Sequence, residues 1–396
     1  MFRKFKADYI FTGHKLLHQN EVLVTNNDGV VEDIVGYADA GDNVETFAGL
    51  LTPGFINCHC HLELSHLKNT IPMHTGLVKF VQQVMAIRQA TADQKLQAMQ
   101  AAEQEMYNNG IVAVGDICNT ADSLPIKQHS KLQWHNFIEV SGFVDAAAEK
   151  RLAEVKAIHE QFLSTINYQL STLSPHAPYS VSKKLFQLLN KETINQLITI
   201  HNQECAAEDE LYKHKTGGFL QLYKNLGIDI TSFIPTGKTS LQSWLPYFTN
   251  KQSIISVHNL FTKQEDIECI HRSTFNDQQT TIFFCLCPNA NQYIEDKMIN
   301  RVGIELLMQN SSHIVIGTDS YASNRQLSIL KEMKLILQQH IPLQHVMYWA
   351  TLSGAKALNM EDKLGSFEKG KKPGIVLIDK LTQGNISAAS SSKRIL

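Results

Sequence analysis

The sequence has no apolar run of 18 or more residues, so it offers no membrane-spanning helix. It also lacks an excess of either charge, with 36 lysines and arginines against 38 aspartates and glutamates. No basic surplus exists to neutralise phosphates, so nucleic acid is not an expected partner. The opening residues, MFRKFKADYI, are basic but contain no apolar stretch of signal-peptide length and no small-residue cleavage site. Cysteine is sparse and odd in number: Cys58, Cys60, Cys118, Cys205, Cys269, Cys285 and Cys287. That argues against a disulfide framework and for free thiols in a reducing cytoplasm. Cys58 and Cys60, like Cys285 and Cys287, have one residue between them. This is too few for a structural zinc pair, and the pairs read as buried small hydrophobes.

What is present is ordinary globular composition, 43% hydrophobic and 19% charged, which excludes a disordered or collagen-like chain. At about 150 residues per domain, 396 residues suggest two or three domains, although barrels exceed that size as single units. No internal repeat divides them. Short apolar runs end in Gly, Asn, Pro or a charged residue at 54–61, 111–118, 134–141, 168–176, 197–204, 253–259, 281–289 and 313–320. Each has strand length, and several are rich in Ile, Val, Phe and Thr. Helical spacing lies between them: Leu77, Phe80, Val81, Val84, Met85 and Arg88; Leu185, Leu188, Leu189 and Ile194; Leu330, Met333, Leu335 and Ile336. The Ala, Glu and Lys of 146–163 also favour helix. Near-continuous apolar strands alternating with helices imply a covered parallel sheet, and eight such units imply an α/β fold of the (β/α)8 barrel type.

The ends differ. Strand-like pieces at 7–11, 21–25 and 30–37 are interrupted by Asn26-Asn27-Asp28-Gly29, which is turn chemistry for an antiparallel hairpin. Residues 373–378 (PGIVLI) supply another buried-strand candidate, and both ends could build one small sheet beside the barrel. The small polar tail 387–392 (SAASSS) is expected to fray.

Chemistry concentrates at the strand ends. His59-Cys60-His61 closes the first barrel strand, where residues i and i+2 project to the same side and both imidazoles can reach one metal. His201 ends the fifth strand with Glu204 three residues on, His258 ends the sixth and Asp319 the eighth. Each residue alone is an ordinary solvated strand end. Together they put imidazoles and a carboxylate at the face where barrels hold their sites, and those are the ligands divalent metals prefer.

This constellation resembles the amidohydrolase superfamily over nearly the whole chain. The segment 51–57 (LTPGFIN) before the two histidines, 353–358 (SGAKAL) and 364–375 (LGSFEKGKKPGI) carry the resemblance further. It implies a distorted (β/α)8 TIM barrel at 54–364, with a small β-sandwich domain built from both termini, 1–53 and 365–396. Members with two metals commonly bridge them by a lysine ending strand four. Here that strand ends Ser174-Pro175-His176, so one metal is expected. The pair His201/Glu204 and the segment His176-Ala177-Pro178-Tyr179 resemble the mononuclear aminohydrolase branch of deaminases and triazine chlorohydrolases.

The resemblance implies His59, His61, His201 and Asp319 as ligands of one divalent metal, zinc first and iron next. Metal-bound hydroxide would be the nucleophile. Asp319 would accept the water's proton and His258 would orient the hydroxide. Glu204 would shuttle a proton to the ring nitrogen beside the attacked carbon, and ammonia would leave. His176 is expected to contact substrate, and Glu63, Ser65 and His66 are candidates for polar groups such as ribose hydroxyls. Trp244 either covers the pocket or joins the core. Asn324, with Ser323 and Arg325, either lines the site or lies at the surface. The loop after His61 looks most like the branch containing aminodeoxyfutalosine deaminases. The expected partner is therefore a small molecule, a 5′-substituted aminopurine nucleoside such as aminodeoxyfutalosine, adenosylhomocysteine or methylthioadenosine. A homo-oligomer is the family's habit. The competing readings are C–Cl or cyclic-amide hydrolysis at the same metal, and a metal-binding barrel without turnover. The last predicts a missing acid/base residue, and none is missing.

Overall fold

A computed structural model of the chain describes residues 2–166, 169–274, 280–309 and 313–396. Five strands open it: β1 (Phe2–Phe11), β2 (Leu16–His18), β3 (Glu21–Asn26), β4 (Val31–Gly36) and β5 (Val44–Pro53). The hairpin between β3 and β4 turns where the sequence predicts. The Asn26 carbonyl Oδ1 accepts the N–H groups of Asp28 at 2.9 Å and Val30 at 3.0 Å, and Gly29 adopts φ +84°.

Eight further strands follow: β6 (Phe55–Cys60), β7 (Ile111–Cys118), β8 (Gln133–Val140), β9 (Leu170–Pro175), β10 (Leu197–Asn202), β11 (Ser253–His258), β12 (Thr281–Leu286) and β13 (His313–Ile316). All eight sequence-predicted barrel strands are found; the reading of the fourth from Tyr168 begins outside the described residues. They form two four-stranded parallel sheets, β6-β7-β8-β9 and β10-β11-β12-β13. Their residues are almost all buried, as expected when helices cover a parallel sheet. The sheets meet at two seams. Between β9 and β10, His201 N donates to His176 O at 2.9 Å and Thr199 N to Ser174 Oγ at 3.2 Å. Between β13 and β6, Thr318 N and Asp319 N both donate to His59 O at 3.0 Å.

The last two strands, β14 (Ile375–Ile378) and β15 (Ser392–Arg394), return to the opening sheet. β14 pairs antiparallel with β5, and β5 runs parallel to β1. The two chain ends therefore do pair. They form a single seven-stranded mixed sheet, ordered β15-β14-β5-β1-β3-β4 with β2 on β1, where a sandwich was expected. Gly49 makes the close approach possible: a Cβ there would lie 2.3 Å from Ile378 O.

Two expectations need correction. Residues 387–392 do not fray: the Ser390 hydroxyl donates to Lys380 O at 3.0 Å, Lys334 Nζ donates to Ser390 O, and Ser392 begins β15. Ile194 does not extend the apolar face of helix Lys183–Glu192. The helix stops at Thr193, whose hydroxyl donates to Leu189 O at 2.8 Å, and Ile194 is exposed. The other predicted helices are present as Leu77–Ile87, Ala148–Thr165 and Ile329–Leu337.

A second apolar cluster lies over the C-terminal strand ends. It includes Leu67, Ile71, Tyr179, Phe219, Tyr293 and Ala322, all from segments that follow a strand. It covers the face on which the polar residues converge. Among the described residues no helix is long and apolar enough to cross a membrane.

Candidate active site

β6 delivers His59 and His61 in extended chain, so both imidazoles face the same way and their Nε2 atoms lie 3.2 Å apart. His61 Nε2 is also 3.2 Å from His201 Nε2, at the end of β10. Asp319 Oδ1 lies 3.5 Å from His59 Nε2 and 3.3 Å from His61 Nε2. Asp319 follows β13 with φ +58°, and His258 ends β11 with φ +75°. Both are left-handed conformations that His and Asp tolerate better than most residues. Such strain, roughly 1–3 kcal/mol each, gathers at functional sites.

The donor set fits one divalent cation. His201 Nδ1 donates to the His176 carbonyl at 2.7 Å, so the neutral ring turns a bare Nε2 lone pair toward His61. Burial pushes the His61 and His201 imidazoles down, keeping them neutral. For Asp319 burial acts upward, but the His59 hydrogen bond and the fields of His61, His59 and His258 outweigh it. They hold the carboxyl well below the usual range, so it is ionised. Three imidazole nitrogens and a carboxylate oxygen thus converge within a few ångströms, and one cation satisfies all four.

Glu204 and His258 stand beside this set, with Glu204 Oε1 3.6 Å from His258 Nε2. Burial first, then the charges of Asp319, Glu208 and Glu295, push Glu204 well above the carboxylate range. The shift favours the protonated form, which suits a group that gives and takes back a proton. His258 Nδ1 bonds Asn291 Oδ1 at 2.8 Å, and burial pushes the ring's pKa down to about 4. Its Nε2 is buried and has no hydrogen-bond partner among the described residues.

The remaining sequence candidates divide. His176 lies near the centre, its ring 4.9 Å from that of His201 and tilted by 57°, with Nδ1 2.6 Å from Ser180 Oγ. Asn324 is buried and bonds Thr318 O and Glu332 Oε1, both at 2.8 Å. Ser323 donates to Asp319 Oδ2 at 2.6 Å. Glu63 accepts the backbone N–H groups of Asn119 and Thr120 at 3.1 Å, and Ser65 donates to Leu62 O at 2.6 Å. His66 Nε2 bonds Arg88 O, and Trp244 is fully buried with its indole N–H on Asn202 Oδ1 at 2.8 Å. Of the two readings left open for Trp244, its position is the core.

Sequence reasoning missed three supports. Glu208 accepts the N–H groups of Gln203 and Glu204 at 2.9 and 2.8 Å and so fixes the loop carrying Glu204. Its position four residues after Glu204, at the first turn of helix Ala206–His214, was a usable signal. Asn291 left none. The third is Asp116, whose Oδ1 accepts Leu62 N at 2.8 Å, just past His61. Its Oδ2 pairs with Lys127 Nζ at 2.5 Å, with both side chains fully buried. Removing one partner strands a buried charge, so Lys127→Met should cost about 3–5 kcal/mol. Denaturant unfolding measures this, and an unchanged midpoint would contradict the pair's role.

Another buried carboxyl gives a pH test. Burial raises Glu332 to about 8 from an ordinary 4.5, against hydrogen bonds from Asn289 and Asn324. Between those values the folded chain holds a proton that the unfolded chain has released, so this group's contribution falls as pH rises. Relative to the parent, Glu332→Gln should therefore gain melting temperature from about pH 5 to about pH 8. A difference that stays flat with pH would rule this out.

The fold has known counterparts. A family model described as "Amidohydrolase family" matches residues 50–395. An adenosine deaminase of Helicobacter pylori is 25% identical over 337 residues, 82% of this chain and 77% of that protein. An aminodeoxyfutalosine deaminase of Nitratiruptor sp. is 25% identical over 347 residues, 83% of this chain and 79% of that one. The crystal structure of Helicobacter pylori aminofutalosine deaminase with methylthio-coformycin has the same fold, with a TM-score of 0.82. It is 21% identical and covers 100% of both chains. The two histidines closing β6, the partners converging from β10, β11 and β13, and a family model spanning nearly the whole length agree: the chain belongs to the amidohydrolase family.

Proposed function

We propose that the protein is a metal-dependent hydrolytic deaminase of an aminopurine nucleoside carrying a 5′ substituent. The observation that carries this is the placement of a raised carboxyl, Glu204, and an unpartnered imidazole, His258, beside the four donors His59, His61, His201 and Asp319. His59, His61, His201 and Asp319 would hold one divalent ion, zinc by ligand chemistry, which would supply a water whose pKa is lowered toward about 7.

The chain's own groups do the rest. Asp319, ionised at neutral pH, takes the proton of the attacking water. His258 Nε2 accepts from that water and fixes its direction. Glu204 gives its proton to the ring nitrogen beside the attacked carbon, so no negative charge builds up on the ring. Asp319 then passes the water's proton to the amino group, ammonia departs, and the carbon keeps the water's oxygen while that oxygen's remaining proton returns to Glu204. The curated relatives named for deamination of adenosine and aminodeoxyfutalosine support the aminopurine class.

The two seams support reading the parallel sheets as one distorted (β/α)8 barrel over 54–364, with 1–53 and 365–396 as a composite β domain. The free cysteines support a reducing, cytoplasmic setting. Ammonia release is the test, with adenosine, methylthioadenosine, adenosylhomocysteine, aminodeoxyfutalosine, guanine and cytosine as substrates. We expect release from the nucleosides and little from the free bases. Metal-loaded protein that releases none from any of them would overturn the proposal.

A further inference from the structure

Glu139, on β8, is only 9% exposed. Its Oε2 accepts from Asn119 Nδ2 at 2.7 Å. Its Oε1 is buried and has no hydrogen-bond partner among the described residues. That oxygen lies beside the site: it is 4.0 Å from His201 Nδ1, and ligand atoms of Glu139, His176 and His201 lie within 4.8 Å of one another. The His201 proton does not satisfy it, because Nδ1 donates to His176 O at 2.7 Å. Asn119 is itself held, its N–H on Glu63 Oε2 at 3.1 Å, so Glu139 is fixed in direction. An oxygen of the Glu139 side chain is thus kept buried and unpaired beside the candidate metal ligands.

Such an atom calls for a donor on the substrate. An aminopurine attacked at its amino-bearing carbon keeps that amino group at the catalytic donors. The other ring nitrogens of the nucleoside are acceptors, which leaves the sugar hydroxyls as donors. We propose that Glu139 Oε1 accepts a sugar hydroxyl and so selects ribonucleosides over their deoxy analogues. This inference rests on the aminopurine reading above.

The test compares adenosine with 2′,3′-dideoxyadenosine in the metal-loaded parent and in Glu139→Gln and Glu139→Ala, with metal content measured alongside. The parent should prefer adenosine roughly 10- to 100-fold in kcat/KM, the range of one charge-assisted hydrogen bond. The variants should lose that preference, chiefly through KM, and match the parent on the dideoxy analogue. Equal losses on both nucleosides would mean that Glu139 only positions His201, and would overturn the inference while leaving deamination intact. A parent with no preference would overturn it without any variant. A parent active only on 5′-substituted nucleosides moves the same comparison to methylthioadenosine and its 2′,3′-dideoxy analogue, and a parent inactive on the whole panel would overturn the function itself.

Discussion

Glu204→Gln should retain the metal and lower kcat by about 10²–10⁴-fold, the range of a positioned general acid/base. The substitution keeps the side chain's shape and removes its proton. Glu204 is not among the four converging donors, and its backbone N–H is held independently by Glu208 Oε1. Loop and metal site should therefore survive. KM should change little, because the lost interaction develops as the ring nitrogen gains its proton. Metal analysis with steady-state kinetics checks this, and near-parent turnover would remove Glu204 from the mechanism.

His201→Ala should do more: it should strip the metal and take activity to background. His201 Nε2 is the donor that β10 contributes, and its ring is oriented by the His176 carbonyl. Alanine leaves His59 and His61 facing Asp319 with a gap where the third imidazole stood. The variant should still fold, since the imidazole it loses stands in the polar site and not in an apolar cluster. Elemental analysis beside circular dichroism separates the outcomes. A folded variant with full metal content would show that His201 is not a ligand.

The eight parallel strands were legible because strands buried on both faces read as short apolar runs, and those read at 111–118 and 253–259 need almost no adjustment. The polar residues that close them stood out against that background, so His59, His61, His201, His258 and Asp319 could be found together. β5 was not legible: Glu45, Ala48 and Gly49 are poor strand formers, and pairing with β1 and β14 overrides them. The supports were hidden for another reason. Lys127 lies 11 residues from Asp116, and Asn291 lies 33 from His258, so spacing alone does not pair them. The loop candidates Glu63, Ser65 and His66 read as substrate groups because they follow the two histidines. The structure ties each to a backbone partner, which a one-dimensional pattern cannot reveal.

The central claim is that water activated among His59, His61, His201 and Asp319 replaces an amino group on a purine nucleoside. Turnover of a 5′-substituted adenosine in isotopically labelled water, with the metal-loaded and the chelator-stripped protein, tests it most directly. The account predicts ammonia in step with product, label in the product's ring carbonyl, and recovery of the stripped protein when zinc is restored. Product without ammonia or without label, or turnover indifferent to metal, would contradict it.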